Sequence, residues 1–193
     1  EIMGSEGYFI TQMLNKRTNK RTDEWGGSYE NRMRFPLEVV RQIREEVGTD
    51  FILMFRLSML DLVEDGSEIE AVIELAKELE KAGVNILNTG IGWHEARVPT
   101  IVTSVPRAAF AEVTGRVKKE VNIPCVASNR INMPDVAEGI ISSGKADMLS
   151  RERSFLADSE WVNNAADGRA DEINTGIACN QACLDHTFQM KRA

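Results

Sequence analysis

Four times along this chain a short apolar run opens into a polar loop and is followed by a helix with one apolar face. That repeat restricts the fold more than any other feature. Phe51 to Phe55 is the first run and ends in Arg56; the others start at Val84, at Ile123 (to Ala127) and at Ala146 (to Leu149). Runs without polar alternation mark strands buried on both faces, the habit of parallel sheets. Between them, Ser67 and Glu70 spell a capping box ahead of Ile69, Val72, Ile73, Ala76 and Leu79, with Gly83 at the stop. Pro106 opens a helix carrying Phe110, Val113 and Val117. Pro134 opens one carrying Val136, Ile140 and Ile141, closed by Gly144. Asp158 or Ser159 caps a last helix through Ala166. Ahead of these, Glu1-Ile2-Met3 reads as the end of a strand. Most of residues 1–28 reads as a long charged loop. Ser28 then caps a helix to Val47, with Met33, Leu37, Val40 and Ile43 at helical spacing and Gly48 beyond it.

Repeated strand–helix units predict an α/β fold with a parallel sheet and helices outside. Two closures are open to such a chain. A doubly wound dinucleotide fold carries G-x-G-x-x-G at a strand–helix turn, and that motif is absent. Polar loops at the end of every strand favour the eight-stranded TIM (β/α)8 barrel, which takes about 250 residues. The 193 residues here therefore predict a partial barrel, about strands 4–8, over residues 1–170, followed by a separate segment over 171–193. The chain does not begin with Met and follows no stop signal at its end, so a fragment cut at both ends is expected.

The formal net charge of −7 argues against a non-specific nucleic-acid surface. No apolar run reaches the length of a membrane span. Three cysteines, two of them close together, fit a reducing, cytoplasmic compartment and a metal or thiol role rather than disulfides.

Candidate chemistry sits at the strand ends. The run from Val84 passes through Asn88, Thr89 and two glycines and presents Trp93, His94, Glu95 and Arg97 within five residues. A rigid strand delivering polar side chains to its C-terminal loop is how α/β enzymes place their chemistry, and an ordinary surface loop with an incidental histidine is the alternative. Arg56, at the end of a buried run, needs a partner: a bound anion, a polar ring or a neighbouring carboxylate. Arg17 and Arg21 suit a phosphorylated substrate or plain solvent. Ser128-Asn129-Arg130 and Ser150 to Arg153 end adjacent strands, where barrels bind phosphate, although two ordinary turns would read the same. Cys179 and Cys183 have the spacing of metal or iron–sulfur ligands but are only two; a zinc module would lack two more. Cys125 reads as a small core residue.

Several of these segments together resemble one family. Arg21-Thr22-Asp23-Glu24-Trp25-Gly26-Gly27-Ser28-Tyr29-Glu30-Asn31-Arg32 resembles the signature of the old yellow enzyme group of FMN barrels. Gly4-Ser5-Glu6-Gly7-Tyr8, Arg56-Leu57-Ser58-Met59-Leu60-Asp61 and Gly92-Trp93-His94-Glu95-Ala96-Arg97 are similar to its bacterial NADPH-dependent 2,4-dienoyl-CoA reductase branch, iron–sulfur flavoenzymes of β-oxidation. The resemblance implies Tyr8 as proton donor with His94 as its catalytic partner. It implies Arg17, His94, Glu95, Ala96 and Arg97 as substrate contacts. Arg56, Arg130, Glu152 and Arg153 would hold FMN, with Ser128 and Asn129 at the same phosphate end, and Cys179 and Cys183 would be cluster ligands. The partners implied are an acyl-CoA substrate and NADPH, reached through a further FAD-carrying domain, with no nucleic acid and no membrane. The reaction implied is hydride transfer from FMN to the distal end of a conjugated dienoyl-CoA, then protonation of the dienolate near the thioester. A phenol, which titrates at about pH 10 in isolation, works as an acid where an imidazole stabilises its anion. An enoate reductase, an amine dehydrogenase and a non-catalytic barrel fragment are the rival readings. Three positions depart from the pattern. Gly176 stands where a [4Fe-4S] ligand is expected, Arg151-Glu152-Arg153-Ser154 replaces Met-Ala-Arg-Pro, and Thr11 replaces an Asn.

Overall fold

The computed structural model describes residues 1–191. Five strands, β1 (Ile2–Gly4), β2 (Met54–Leu60), β3 (Ile86–Ile91), β4 (Cys125–Ala127) and β5 (Met148–Leu149), form one sheet in the order β1-β2-β3-β4-β5. Every neighbouring pair is parallel. Parallel strands laid down in sequence order, with the one crossover hand that such connections take, keep their helices on one face and turn as a barrel wall; a doubly wound sheet would reverse its order midway. The chain is thus the expected arc of a (β/α)8 barrel.

The helices that cover this wall follow from their apolar spacing. In α2 (Tyr29–Val47) the Ser28 hydroxyl accepts from the Asn31 N–H at 3.2 Å, and Gly48, at φ +75°, ends the helix. Its Met33, Leu37 and Val40 meet Val72, Leu75, Ala76 and Leu79 of α3 (Ile69–Lys81) over Phe55, Leu57 and Met59 of β2. A second cluster gathers Ala127, Ile131, Ala137, Ile140 and Trp161 around α4 (Ala111–Lys118), α5 (Pro134–Ser142) and the short α7 (Trp161–Ala166). Side chains alternate across a strand, so with Phe55, Leu57 and Met59 under the helices, Arg56 and Ser58 face the barrel interior. The register lines Met3, Arg56, Asn88, Val126 and Met148 in one row across that inner face. No helix among the described residues is long and apolar enough to cross a membrane.

Several boundaries differ from the expectation, each for a local reason. The first full strand begins at Met54, not Phe51. Phe51 and Ile52 are exposed, and the Phe51 carbonyl accepts from Arg44 instead of a neighbouring strand, so Arg56 lies inside β2 and not at its end. The Ser67–Glu70 capping box does not form. Glu68 takes the cap position without a side-chain bond, and the Ser67 N–H is spent on Asp61. Pro106 lies in a turn, and α4 starts five residues later, after Ala108 has turned back at φ +56° to donate its N–H to the Arg130 carbonyl. Asp158 accepts from the N–H groups of Glu160 and Asn174 and leaves the start of α7 to Glu160. Short helices arise where none was expected: α1 (Phe9–Leu14), inside the long first loop, α6 (Arg153–Ala157) and α8 (Asp185–Phe188). Of the expected 171–193 segment, Arg192 and Ala193 lie outside the described residues.

Candidate active site

The exits of β1 and β3 converge. After Gly4 the backbone turns sharply through Glu6 and Gly7, at φ +64° and +85°, and places Tyr8 at the head of α1. Glycine is required at position 7 by that φ and by the Trp93 indole, which a Cβ there would meet at 3.2 Å. From the other exit, the His94 N–H donates to the Glu6 carbonyl at 3.2 Å, and its Nε2 lies 2.9 Å from the Tyr8 hydroxyl. The two rings meet edge to face, 5.1 Å apart. Both side chains are exposed, Tyr8 by 48%, so the pair is open to a substrate.

Beneath them, the inner-face Arg56 finds the carboxylate it needs: its Nη2 pairs with Glu6 Oε1 at 2.7 Å. Its Nε is buried without a partner. At the mouth Arg17 lies 3.7 Å from Glu95, a solvent-exposed pair of little energetic weight. Ala96 is half-buried in the same loop and Arg97 exposed. Arg21 is bonded to Asp23 and is not part of this cluster.

The exits of β4 and β5 make a second, basic end. Asn129 and Arg130 both sit in the left-handed region, at φ +65° and +58°. Arg130 Nε donates to the Val105 carbonyl at 2.8 Å; Arg153 Nη1 donates to the Ile101 carbonyl at 3.0 Å and to Asn180 Oδ1 at 2.7 Å. Burial, and then the like charges of Arg107 and Arg153, hold the Arg130 guanidinium below its ordinary range. Cations that repel one another at paired loop ends are stabilised by an anion. Ser128 is committed to the fold, donating to the Thr89 carbonyl at 2.7 Å, and Glu152 is exposed at the head of α6. Arg151 stacks over the Trp161 ring at 3.4 Å.

FMN fits this donor set. The orphaned, buried Arg56 Nε faces the barrel interior at one end, and the repelling arginines at the other end want a phosphate. For a [4Fe-4S] cluster, Gly176 stands where the family resemblance asks for a thiol, and no group of three or more His, Cys, Asp or Glu side chains among the described residues is placed to hold a metal. Cys179 is exposed, Cys183 half-buried and Cys125 buried. Burial, then the Asp147 carboxylate, pushes the Cys125 thiol up to about 12. A maleimide at pH 8 is therefore expected to label Cys179 and Cys183 in the native chain and to spare Cys125. Mass-mapped label on Cys125 without denaturant would contradict that.

Sequence reasoning gave no role to Glu6, Asp61, Arg107 or Asn180. The unmet charge of Arg56 was the one usable signal, because it asked for a carboxylate that turned out to be Glu6.

The chain is 44% identical over 191 residues to a metal reductase of Desulforamulus reducens, covering 99% of this chain and 29% of that protein. It is 41% identical over 186 residues to an NADH oxidase of Thermoanaerobacter brockii, covering 95% and 28%. The solved structure of a 2-naphthoyl-CoA reductase with 2-naphthoyl-CoA superposes with a TM-score of 0.94 at 37% identity, over 98% of this chain and 29% of that one. The chain thus spans less than a third of the length of these relatives. The model of one family matches residues 1–172, and the chain belongs to that family, the NADH:flavin oxidoreductase / NADH oxidase family.

Proposed function

We propose that this chain is the substrate-side part of a flavin-dependent reductase acting on a C=C bond conjugated to an acyl-CoA thioester, with a 2,4-dienoyl-CoA as its substrate. The observation that carries the reading is the open Tyr8–His94 pair, 2.9 Å apart, above the Arg56–Glu6 pair. The likeness to a reductase of an aryl-CoA thioester supports the thioester, and the Gly92–Arg97 loop supports the dienoyl branch.

Arg56 would hold the ring of FMN, and Arg130 and Arg153 its phosphate, and the flavin bound there would supply the hydride. The chain's own residues manage the proton. Tyr8 stands with its hydroxyl in the open mouth and gives its proton to the carbon next to the thioester carbonyl. His94 holds that hydroxyl in one orientation and stabilises the phenolate left behind. Arg17, with the loop from His94 to Arg97, meets the CoA portion. The same reading divides the chain into barrel wall (1–170) and cysteine segment (171–193). It draws electrons from NADPH through a further domain and assigns the protein to the cytoplasm.

The test loads the chain with FMN, reduces it with dithionite without oxygen and adds one acceptor at a time. A 2,4-dienoyl-CoA is expected to restore the oxidised flavin spectrum, and a free enoate or a simple enone to do so at least roughly tenfold more slowly, the worth of the lost CoA contacts. Equal rates for enoate and dienoyl-CoA, or a flavin that stays reduced with both, would sink the proposal.

A further inference from the structure

We infer that Asp61, buried behind the Tyr8–His94 pair, is the positioning residue that holds the pair together. The inference rests on the function proposed above and adds to it a residue that touches neither reacting ring.

Asp61 is 4% exposed, and its carboxylate accepts four hydrogen bonds, each from a neutral donor. Asn15 Nδ2 donates at 2.9 Å from the loop after α1, and Ser58 Oγ at 2.6 Å from the end of β2. Trp93 Nε1 donates at 3.0 Å from the loop after β3, and the Ser67 N–H at 2.7 Å from the approach to α3. The Trp93 N–H is also held, by the Asp61 carbonyl at 2.9 Å. A buried carboxylate with every donor in place is rigid, because releasing any one of them strands a charge in a poorly solvated site.

Two of those bonds lead to the site. Trp93 immediately precedes His94, and its indole face lies under Gly7, the residue before Tyr8. Fixing the indole therefore fixes both exits at once: the His94 ring from one side and the turn into Tyr8 from the other. Asn15, held by Asp61 through Nδ2, uses Oδ1 to accept from the Arg17 N–H at 2.8 Å and so orders the loop that carries the mouth cation. The backbone after Asp61 is bent to serve this cluster. Leu62 and Asp65 both sit in the left-handed region, at φ +58° and +57°, a conformation non-glycine residues keep only where the surroundings over-determine it.

The readout is the His94 imidazole, followed by nitrogen NMR on the full chain, so the test does not depend on turnover. In the native chain, Tyr8→Phe is expected to move the His94 ring resonances, because the 2.9 Å bond is lost. With Asp61→Ala as background, the same Tyr8→Phe change is expected to move them by less than roughly half as much, the signature of coupled residues in a double-mutant cycle. A merely structural Asp61 would lower the melting temperature and leave the Tyr8 effect at full size, and that result overturns the inference. Should Asp61→Ala not fold, Trp93→Phe removes only the indole donor and keeps the ring under Gly7. It is expected to shrink the Tyr8 effect, and an undiminished effect overturns the inference equally. A native chain in which Tyr8→Phe leaves His94 unmoved removes the pair itself, and with it the proposed function as well as this one.

Discussion

On the proposed function, replacing Tyr8 by Phe is expected to lower the rate of dienoyl-CoA reduction by roughly 10²–10⁴ and to leave the fold intact. The phenylalanine keeps the ring at the head of α1 and its edge-to-face contact with His94, and loses only the hydroxyl. That hydroxyl is the proposed proton donor, and its partner among the described residues is an imidazole open to water. No buried donor or acceptor is stranded by the change, so the stability cost is expected within about 0.5 kcal/mol. At about 1.36 kcal/mol per tenfold, the loss of rate corresponds to roughly 3–5 kcal/mol of transition-state stabilisation. Single-turnover reoxidation of the reduced, FMN-loaded chain by a dienoyl-CoA measures the rate, and urea denaturation measures the stability. A Tyr8→Phe chain that reoxidises within about threefold of the native rate would show that the proton comes from elsewhere.

What could be read without coordinates followed the range of the interactions. The Tyr29–Val47 helix is visible because its cap, its spacing and its terminal glycine are all local. The Ser67–Glu70 box looks as persuasive and fails, because Asp61, six residues back, competes for the Ser67 N–H and wins. Phe51 and Ile52 read as strand because periodicity does not say where a ladder begins; Arg44, seven positions earlier, takes the carbonyl that would have started it. The site divides the same way. Arg56 announced its need for a carboxylate, but Glu6 is supplied by another strand exit, fifty positions away. Tyr8 and His94 were paired by family likeness alone. What brings them together is the close approach of β1, β2 and β3, where Gly90 leaves no room for a Cβ against Ser5. Asp61 stood in a segment that carries the family resemblance but had no role of its own there. An aspartate between apolar residues becomes a hub only when partners 46 and 32 positions distant arrive.

That dependence on strand packing sets the second large expectation. Phe55→Ala is expected to destabilise the chain by about 3–5 kcal/mol, a large fraction of the stability of a typical domain. Phe55 is fully buried in β2, packed between the wall and the α2–α3 layer. Removing its ring opens a cavity that the surrounding Leu57, Met33 and Leu79 cannot collapse into, because each is held in its own element. The same ring lies against Gly4, where any Cβ would collide with it, so the last residue of β1 is seated on Phe55. Four residues beyond that seat stands Tyr8. The variant is therefore expected to fall in urea midpoint with an unchanged slope and to loosen the Tyr8–His94 pair, whereas Tyr8→Phe lowers the rate on an undisturbed wall. A loss below about 1 kcal/mol would mean that the wall relaxes around the cavity, and that the geometry of the proton-donor pair does not depend on how β1 is packed.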